Sequence, residues 1–192
     1  MGQIEVVEET IEVLKEYSSI SIAFEVRSML EVTVLEDGLH GFLLKERAVD
    51  PPWIKDYDSI EDEGSTSWAR RWDIANWGVL AAYDQGQRAG GCVLAYDTPG
   101  VYFLESRKDL AALWDIRVAP ELRGRGIGKE LFSRAVSWSR TRGCNQLKIE
   151  TQNINVPACR FYRAQGCTLR SIDRDKYAGH PDEVEMVWHK TL

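Results

Sequence analysis

The segment that most constrains the fold is the run Trp114–Lys129, in which a strand pattern leads through a glycine-rich turn into an amphipathic pattern. Glycines let a ligand approach the backbone closely, and the first N–H groups of a helix have no partner within the helix, so they attract anions. Arg123, Arg125 and Lys129 add positive charge here, although the chain as a whole carries a net charge of −6. The run therefore predicts a strand–turn–helix unit that binds a phosphate-containing ligand.

Three phosphate-binding patterns compete for this turn. A P-loop would need glycine at position 123 and Ser or Thr at position 130, and a dinucleotide fingerprint would need glycine at position 129. The chain has Arg, Glu and Lys there, so neither pattern fits. The pattern Arg-x-x-Gly-x-Gly is fulfilled by Arg123, Gly126 and Gly128. A six-residue match leaves an ordinary glycine-rich turn open as the alternative.

A second segment, Asn155-x-x-Ala158-x-x-Phe161-Tyr162-x-x-x-Gly166, follows after an intervening helix pattern and a strand pattern. Asn is a good helix N-cap, Pro157 suits the first helical turn, and Gly166 is a typical helix stop. The order of the two segments, with one helix and one strand between them, argues against a chance match.

The two segments resemble the acetyl-CoA motifs of the GNAT N-acetyltransferase superfamily. Asp115–Val118, Glu150–Asn153 and Trp53–Asp58 narrow the likeness to its streptothricin acetyltransferase branch. The resemblance extends from about Trp77 to the end, and the N-terminal part departs from the family because it shows no clear pair of helices. Cys167 and Leu122 also depart from the common pattern, at positions that serve packing.

The resemblance implies acetyl-CoA as cosubstrate. The turn would bind its pyrophosphate through backbone N–H groups, and the backbone of β-strand residues 116 and 118 would pair with the pantetheine arm. The implied acetyl-CoA-binding residues are Ile116, Val118, Arg123, Gly124, Arg125, Gly126, Ile127, Gly128, Lys129, Asn155 and Ala158. No metal is expected, because the four cysteines are scattered and only three histidines accompany them.

The resemblance also implies three catalytic residues. Tyr162 would be the general acid that protonates the leaving thiolate, since a phenol suits a thiolate leaving group. Asp115 and, after it, Glu150 are the candidates for the general base that takes the proton of the acceptor amine. Aromatic packing for Tyr162, a salt bridge for either carboxylate, and a water relay in place of a single base remain open.

The fold class predicted is α/β of the α+β type, as a single domain over residues 1–192 with its cofactor-binding half at about 77–192. We expect a mixed, mostly antiparallel, twisted sheet of about seven strands, flanked by helices and splayed at the acetyl-CoA site. Residues 1–20 fit either a helix or a strand. A strand over 24–34 precedes a hairpin partner over 39–46, which Asp50-Pro51-Pro52 should end. The other predicted elements are strands over 77–83, 89–96, 110–118, 146–151, 168–173 and 184–190, a helix over 127–142 and a short helix after Asn155.

Charge and composition limit the partners. The acidic balance argues against a nucleic-acid partner. The sequence contains no apolar run of about 18 residues, so no membrane span is predicted. The N-terminus lacks a secretory pattern, and we therefore expect a cytoplasmic protein. The acidic segment 55–67 is either a surface loop or a gate over a site. Its carboxylates and the aromatic residues around it would attract a cation. The alternative is that the carboxylates are solvated and the aromatic residues belong to the core. The core is the commoner place for tryptophan. The aromatic residues concerned are Trp53, Tyr57, Trp68, Trp72 and Trp77.

The acceptor implied by the resemblance is a small cationic amine, the β-lysine amine of a streptothricin-like antibiotic, with antibiotic resistance as the purpose. A polyamine, another amino antibiotic or a protein amine are alternatives with the same chemistry. A non-catalytic acyl-CoA sensor and a nucleotide-binding protein are alternatives of another class. Both a monomer and a homodimer remain open.

Overall fold

The computed structural model describes residues 4–60, 64–177, 179–180 and 182–192. Within these ranges the strands are β1 (Ile4–Glu9), β2 (Phe24–Val34), β3 (Phe42–Lys55), β4 (Gly78–Asp84), β5 (Gln87–Tyr96), β6 (Leu110–Val118), β7 (Gln146–Gln152), β8 (Thr168–Asp173) and β9 (Glu185–Thr191). The α-helices of the same ranges are α1 (Leu14–Tyr17), α2 (Trp68–Arg71), α3 (Ile127–Thr141) and α4 (Val156–Ala164).

A seven-stranded sheet runs in the order β1-β4-β5-β6-β7-β9-β8, and β2 and β3 form a separate antiparallel pair. The pairs β1–β4, β4–β5 and β5–β6 are antiparallel, whereas β6 and β7 are parallel. The mixed seven-stranded sheet agrees with the prediction. Residues 1–20 contain both of the alternatives considered, a strand over Ile4–Glu9 and helical turns from Ile11 to Tyr17.

The chain forms two compact units, each of them discontinuous in sequence. The first unit comprises Met1–Ile22, Asp56–Ile149 and His189–Leu192, and the second comprises Ala23–Lys55 and Glu150–Trp188. β7 and β9 contribute residues to both units.

In the first unit, α3 packs on the sheet through one apolar face, as predicted. Ile127, Leu131, Ala135 and Trp138 are buried on this face, and Gly143 follows the helix with a φ of +77°. Gly90 of β5 makes the close approach possible, because a Cβ there would stand 3.3 Å from Leu131 and 2.8 Å from a backbone carbonyl.

Gly78 of β4 is the tightest of these contacts, and we expect Gly78→Ala to destabilise the fold by about 2 kcal/mol, the scale of overpacking. A Cβ on Gly78 would stand 2.3 Å from the indole ring of Trp138. Gly64→Ala is the matched control, since nothing lies within 4 Å of its Cβ position and its φ is −63°. Denaturant unfolding measures both variants. Equal stability of the two would contradict the packing of Trp138 against β4.

A cluster of tryptophans fills the other face of the first unit. Trp72 and Trp77 each lie 5.1 Å from Trp114, measured between ring centroids, and Trp68 lies 6.0 Å from Trp77. Trp68 and Trp77 are buried in the core, which confirms the packing interpretation for these two residues. Trp53, in contrast, is 40% exposed.

In the second unit, β3 continues past the residues that we expected to end it. Asp50-Pro51-Pro52 lie inside β3, so the prediction of a strand stop was wrong. The register explains this: Ser28 pairs with Ala48 while Val26 pairs with Trp53, so a bulge separates the two paired stretches. Prolines are tolerated in a bulge because no ladder N–H is required there.

Candidate active site

The glycine-rich turn of the first unit has the geometry of an anion cradle. Gly124 and Gly126 have φ angles of +79° and +90°, which favour glycine, and α3 begins directly afterwards at Ile127. No side chain caps the N-terminus of α3 at Gly126. A Cβ on Gly124 or Gly126 would meet nothing within 4 Å, so the space beside the turn is open for a ligand. This geometry fits a pyrophosphate group bound by backbone N–H groups.

The three cations of the turn have different surroundings. The guanidinium of Arg123 donates from Nε to the carbonyl of Val118 at 3.0 Å and from Nη2 to the carbonyl of Ser21 at 3.2 Å. Arg123 therefore fastens the turn to the end of β6. Arg125 and Lys129 are exposed, so their charge faces the solvent where an anion would arrive.

β6 offers backbone groups on one edge. It pairs with β5 along most of its length, from Tyr96–Ala111 to Gly90–Val118. Its parallel pairing with β7 covers only Leu110–Leu113. Within the described residues, the remainder of β6 up to Val118 has no strand partner on that edge. This is the part that contains Ile116 and Val118, where an extended ligand can add backbone hydrogen bonds.

Asp115, one of the two candidate bases, is held in a buried network of the first unit. It is ion-paired with Arg117, and the Tyr17 hydroxyl donates to its Oδ1 at 2.9 Å. Arg117 also donates to Asp58 at 2.8 Å and to the carbonyl of Ile20 at 2.9 Å. Burial, with the Asp115 charge beside it, raises the pKa of Tyr17 well above its ordinary value, so the phenol stays a donor. The network ties β6 to the segments 17–20 and 56–60.

In the second unit, α4 carries three of the predicted residues. Asn155 caps the helix, since its Oδ1 accepts the N–H of Ala158 at 3.2 Å, which confirms the predicted cap. Tyr162 lies with Val156 and Cys159 on the buried face of α4 and is only 4% exposed. The ring of Phe161 lies at its edge, 5.2 Å away between centroids.

Glu150, the other candidate base, lies at the centre of a polar cluster in the second unit. The hydroxyl of Tyr177 donates to its Oε1 at 2.5 Å. Burial raises the pKa of Glu150, the nearby Glu185 carboxylate acts in the same direction, and the Tyr177 hydrogen bond and Lys176 oppose them. Lys176 lies 3.0 Å from Glu185. A carboxylate with a raised pKa is a better base than an ordinary glutamate.

Sequence reasoning missed Arg117, Glu185 and Tyr177. Arg117 had a local signal, because a charged residue two positions after Asp115 lies on the same face of a strand. Tyr177 had no such local signal, since it is 27 positions from Glu150 and lies in a polar loop.

Among the described residues, no group of three or more His, Cys, Asp or Glu side chains is placed to hold a metal ion. In the same ranges, every helix is too short or too polar to cross a bilayer.

Among the described residues, a strand edge without a strand partner leads into a glycine turn at a helix N-terminus, which is the arrangement that the sequence predicts for an extended, phosphorylated cosubstrate. Residues 42–167 match the model of the acetyltransferase (GNAT) family. A streptothricin acetyltransferase of Streptomyces lavendulae is 30% identical over 170 residues, which are 88% of this chain and 84% of that protein. One from Escherichia coli is 30% identical over 170 residues, 86% of this chain and 84% of that protein.

Solved structures agree with this assignment. The crystal structure of a nourseothricin acetyltransferase is 27% identical, with a TM-score of 0.75 and coverage of 98% of both chains. A Bacillus anthracis structure in complex with acetyl coenzyme A has a TM-score of 0.76 at 23% identity, over 99% of this chain and 100% of that chain. The chain belongs to the GNAT acetyltransferase family. It is an N-acetyltransferase with acetyl-CoA as cosubstrate, which confirms the family, fold and cosubstrate predicted from the sequence.

Proposed function

We propose that this enzyme acetylates a primary amine of a streptothricin-like antibiotic. The observation that carries the proposal is the extent of the similarity. The two streptothricin acetyltransferases match 170 residues, well beyond the range 42–167 that the general family model matches. The similarity therefore includes parts of the chain outside the common acetyl-CoA-binding region.

We propose Glu150 as the base of the reaction and Tyr162 as the acid. Glu150 takes a proton from the acceptor ammonium, and the amine nitrogen then forms a bond with the acetyl carbon. The carbon–sulfur bond breaks, and Tyr162 donates its hydroxyl proton to the departing thiolate. The nitrogen loses its second proton as the amide forms, and this proton restores the Tyr162 hydroxyl. Acetyl-CoA supplies the activated thioester. In the first unit the turn Arg123–Lys129 binds its pyrophosphate, and the backbone of Ile116 and Val118 pairs with its pantetheine arm. Asn155 and Ala158 of the second unit are further proposed acetyl-CoA-binding residues.

Asp115 is the weaker candidate for the base, although the sequence ranked it first. Both of its oxygens accept hydrogen bonds, from Tyr17 and Arg117, and a base would have to break the ion pair. Removing one partner of a buried ion pair leaves the other charge uncompensated, so proton uptake here is costly. We assign Asp115 to fixing β6 instead.

The acceptor is tested by measuring CoA release from acetyl-CoA with a thiol reagent. Streptothricin, a polyamine and a lysine-containing peptide are compared as acceptors, and we expect streptothricin to be the fastest. A blank without acceptor should be small, because Cys92, Cys144, Cys159 and Cys167 are all buried. Faster release with another amine would keep the enzyme and reject this acceptor. A cytoplasmic location and the assembly, monomer or homodimer, are separate expectations of the same proposal.

A further inference from the structure

The second unit contains a cavity of about 840 Å³, a size that suits a small-molecule ligand. Met29, Val32 and Val184 form apolar parts of its wall, and Asn153 and Tyr177 form polar parts. The charged residues of the described lining are three carboxylates and two guanidinium groups: Glu31, Asp175, Asp182, Arg47 and Arg174. All the described lining residues belong to this unit.

The cavity is held in shape by the hydrogen bonds of one buried side chain, Asn153. The side chain of Asn153 donates to the carbonyls of Leu30 at 3.1 Å and Asp182 at 3.2 Å, and it accepts the N–H of Val184 at 2.8 Å. One buried amide thus joins β2 to the segment before β9. A wall fixed in this way can present a polar group to a ligand in a defined position.

Tyr177 connects the cavity to Glu150. Glu150 itself lies outside the lining found among the described residues, one hydrogen bond behind the wall. A phenolic hydroxyl has one donor position and two acceptor positions. Tyr177 uses its donor on Glu150 at 2.5 Å and one acceptor position on the Gln152 amide at 2.9 Å. Counting contacts within the described part of the chain, one acceptor position is left for a ligand N–H.

We propose that the cavity holds the acceptor amine and that Tyr177 relays a proton from this amine to Glu150. The inference rests on the proposed acetyl transfer and adds a catalytic residue to it. In the step, an N–H bond of the ammonium breaks as its proton moves to Tyr177 Oη, and the Tyr177 hydroxyl proton moves to Glu150 Oε1. The amine keeps the freed electron pair, Tyr177 is a neutral phenol again, and Glu150 becomes a neutral carboxylic acid.

The surroundings of Tyr177 make it a relay rather than a base in its own right. Burial, together with the Glu150 carboxylate, raises the pKa of Tyr177, so the phenol stays protonated. The groups that act on this pair are Glu150 of β7, Glu185 of β9, the Gln152 amide and Lys176. A phenol that remains protonated transfers a proton only by accepting another at the same time.

The variant Tyr177→Phe tests the relay, because it keeps the ring and removes the hydroxyl. We expect kcat/KM for the amine to fall about 100-fold at pH 7, the scale of proton-transfer catalysis. Acetyl-CoA affinity should stay at its wild-type value, whereas Tm should fall, because Glu150 and Gln152 each lose a hydrogen-bond partner. The defect should shrink as the pH rises towards and above about 10.4, the ordinary pKa of an alkylamine, because a growing share of the amine is then already neutral. Tyr102→Phe is the matched control, since Tyr102 is 93% exposed.

A defect of Tyr177→Phe that does not change with pH would indicate a purely structural role and overturn the relay. Wild-type kcat/KM in Tyr177→Phe would also overturn it. Val32→Trp tests the cavity: it should raise KM for the amine at least about 10-fold without changing acetyl-CoA affinity, since the indole occupies space a ligand needs. An unchanged KM would reject the cavity as the acceptor site.

These outcomes separate the relay from the proposed function. If the wild-type enzyme binds acetyl-CoA but acetylates none of the amines, the proposed function fails and the relay fails with it. If the wild-type enzyme acetylates an amine and Tyr177→Phe does so equally fast, only the relay fails.

Discussion

Gly126→Asp should raise the Kd for acetyl-CoA at least about 100-fold, because a carboxylate would then stand at the place proposed for the pyrophosphate. The φ of Gly126 is +90°, and its Cβ position faces open space at the N-terminus of α3. Asp tolerates this backbone region better than most residues, so the variant should still fold. The loss therefore comes from charge and occupied space rather than from unfolding.

Thermal unfolding with and without ligand measures this effect. CoA at 100 times its Kd should stabilise the wild-type enzyme by about 2.7 kcal/mol, whereas Gly126→Asp should show almost no shift at that concentration. ATP and NAD should not protect either protein, since the turn fulfils neither of their spacing patterns.

Gly143→Asp is the matched control for this variant. Gly143 has a φ of +77° and an open Cβ position, and it follows the opposite end of α3. The control shares the strain of an Asp at positive φ but leaves the turn unchanged, so its CoA-induced shift should match the wild type. If Gly126→Asp retained wild-type affinity, the pyrophosphate would have to bind elsewhere.

The elements that carry the cofactor motifs could be predicted from the sequence, because their signals are local. The β6 pattern spans Leu110–Val118 as expected, and Asn155 caps α4 through a residue three positions away. A helix face or a cap depends on neighbours within one or two turns, which spacing alone reveals. The family resemblance added the roles that spacing could not supply.

The parts that could not be predicted depend on contacts between distant residues. The prolines of β3 look like a strand stop until the bulge opposite Arg27 is known. Arg117 donates a hydrogen bond to Asp58, which is 59 positions away in sequence. This contact places Asp115, the ion-pair partner of Arg117, in a buried network instead of leaving it available as a base. Tyr177 is a candidate functional residue only because it contacts Glu150 and lines the cavity. Contacts between residues far apart in sequence produce no periodic pattern in the sequence, so spacing alone does not reveal them.

Glu150→Gln should lower kcat for the amine between about 100-fold and 10,000-fold at neutral pH, the range reported for loss of a general base. Because burial raises the pKa of Glu150, the acid limb of the wild-type kcat profile should lie above the ordinary value of about 4.3. Below this limb Glu150 is protonated and cannot accept a proton. Glu150→Gln should remove the limb, and Glu185→Gln should move it to lower pH, since it removes a neighbouring negative charge.

The pH dependence of folding stability tests the raised pKa of Glu150 independently of activity. A carboxyl whose pKa is raised by folding favours the folded state at low pH, and this contribution is lost as the pH rises through the folded pKa. At pH 7 the wild-type enzyme therefore carries a buried charge that Glu150→Gln removes. We expect the Tm of Glu150→Gln at pH 7 to equal or exceed that of the wild type, despite the loss of activity.

Asp115→Asn should behave in the opposite way and so separates the two candidate bases. It breaks the buried ion pair with Arg117 and should destabilise the fold by about 3 kcal/mol, with the acid limb of the activity profile retained. Urea unfolding and kcat against pH are measured for both variants. If the acid limb disappeared in Asp115→Asn and persisted in Glu150→Gln, Asp115 would be the base, and the ion pair with Arg117 would have to open during turnover.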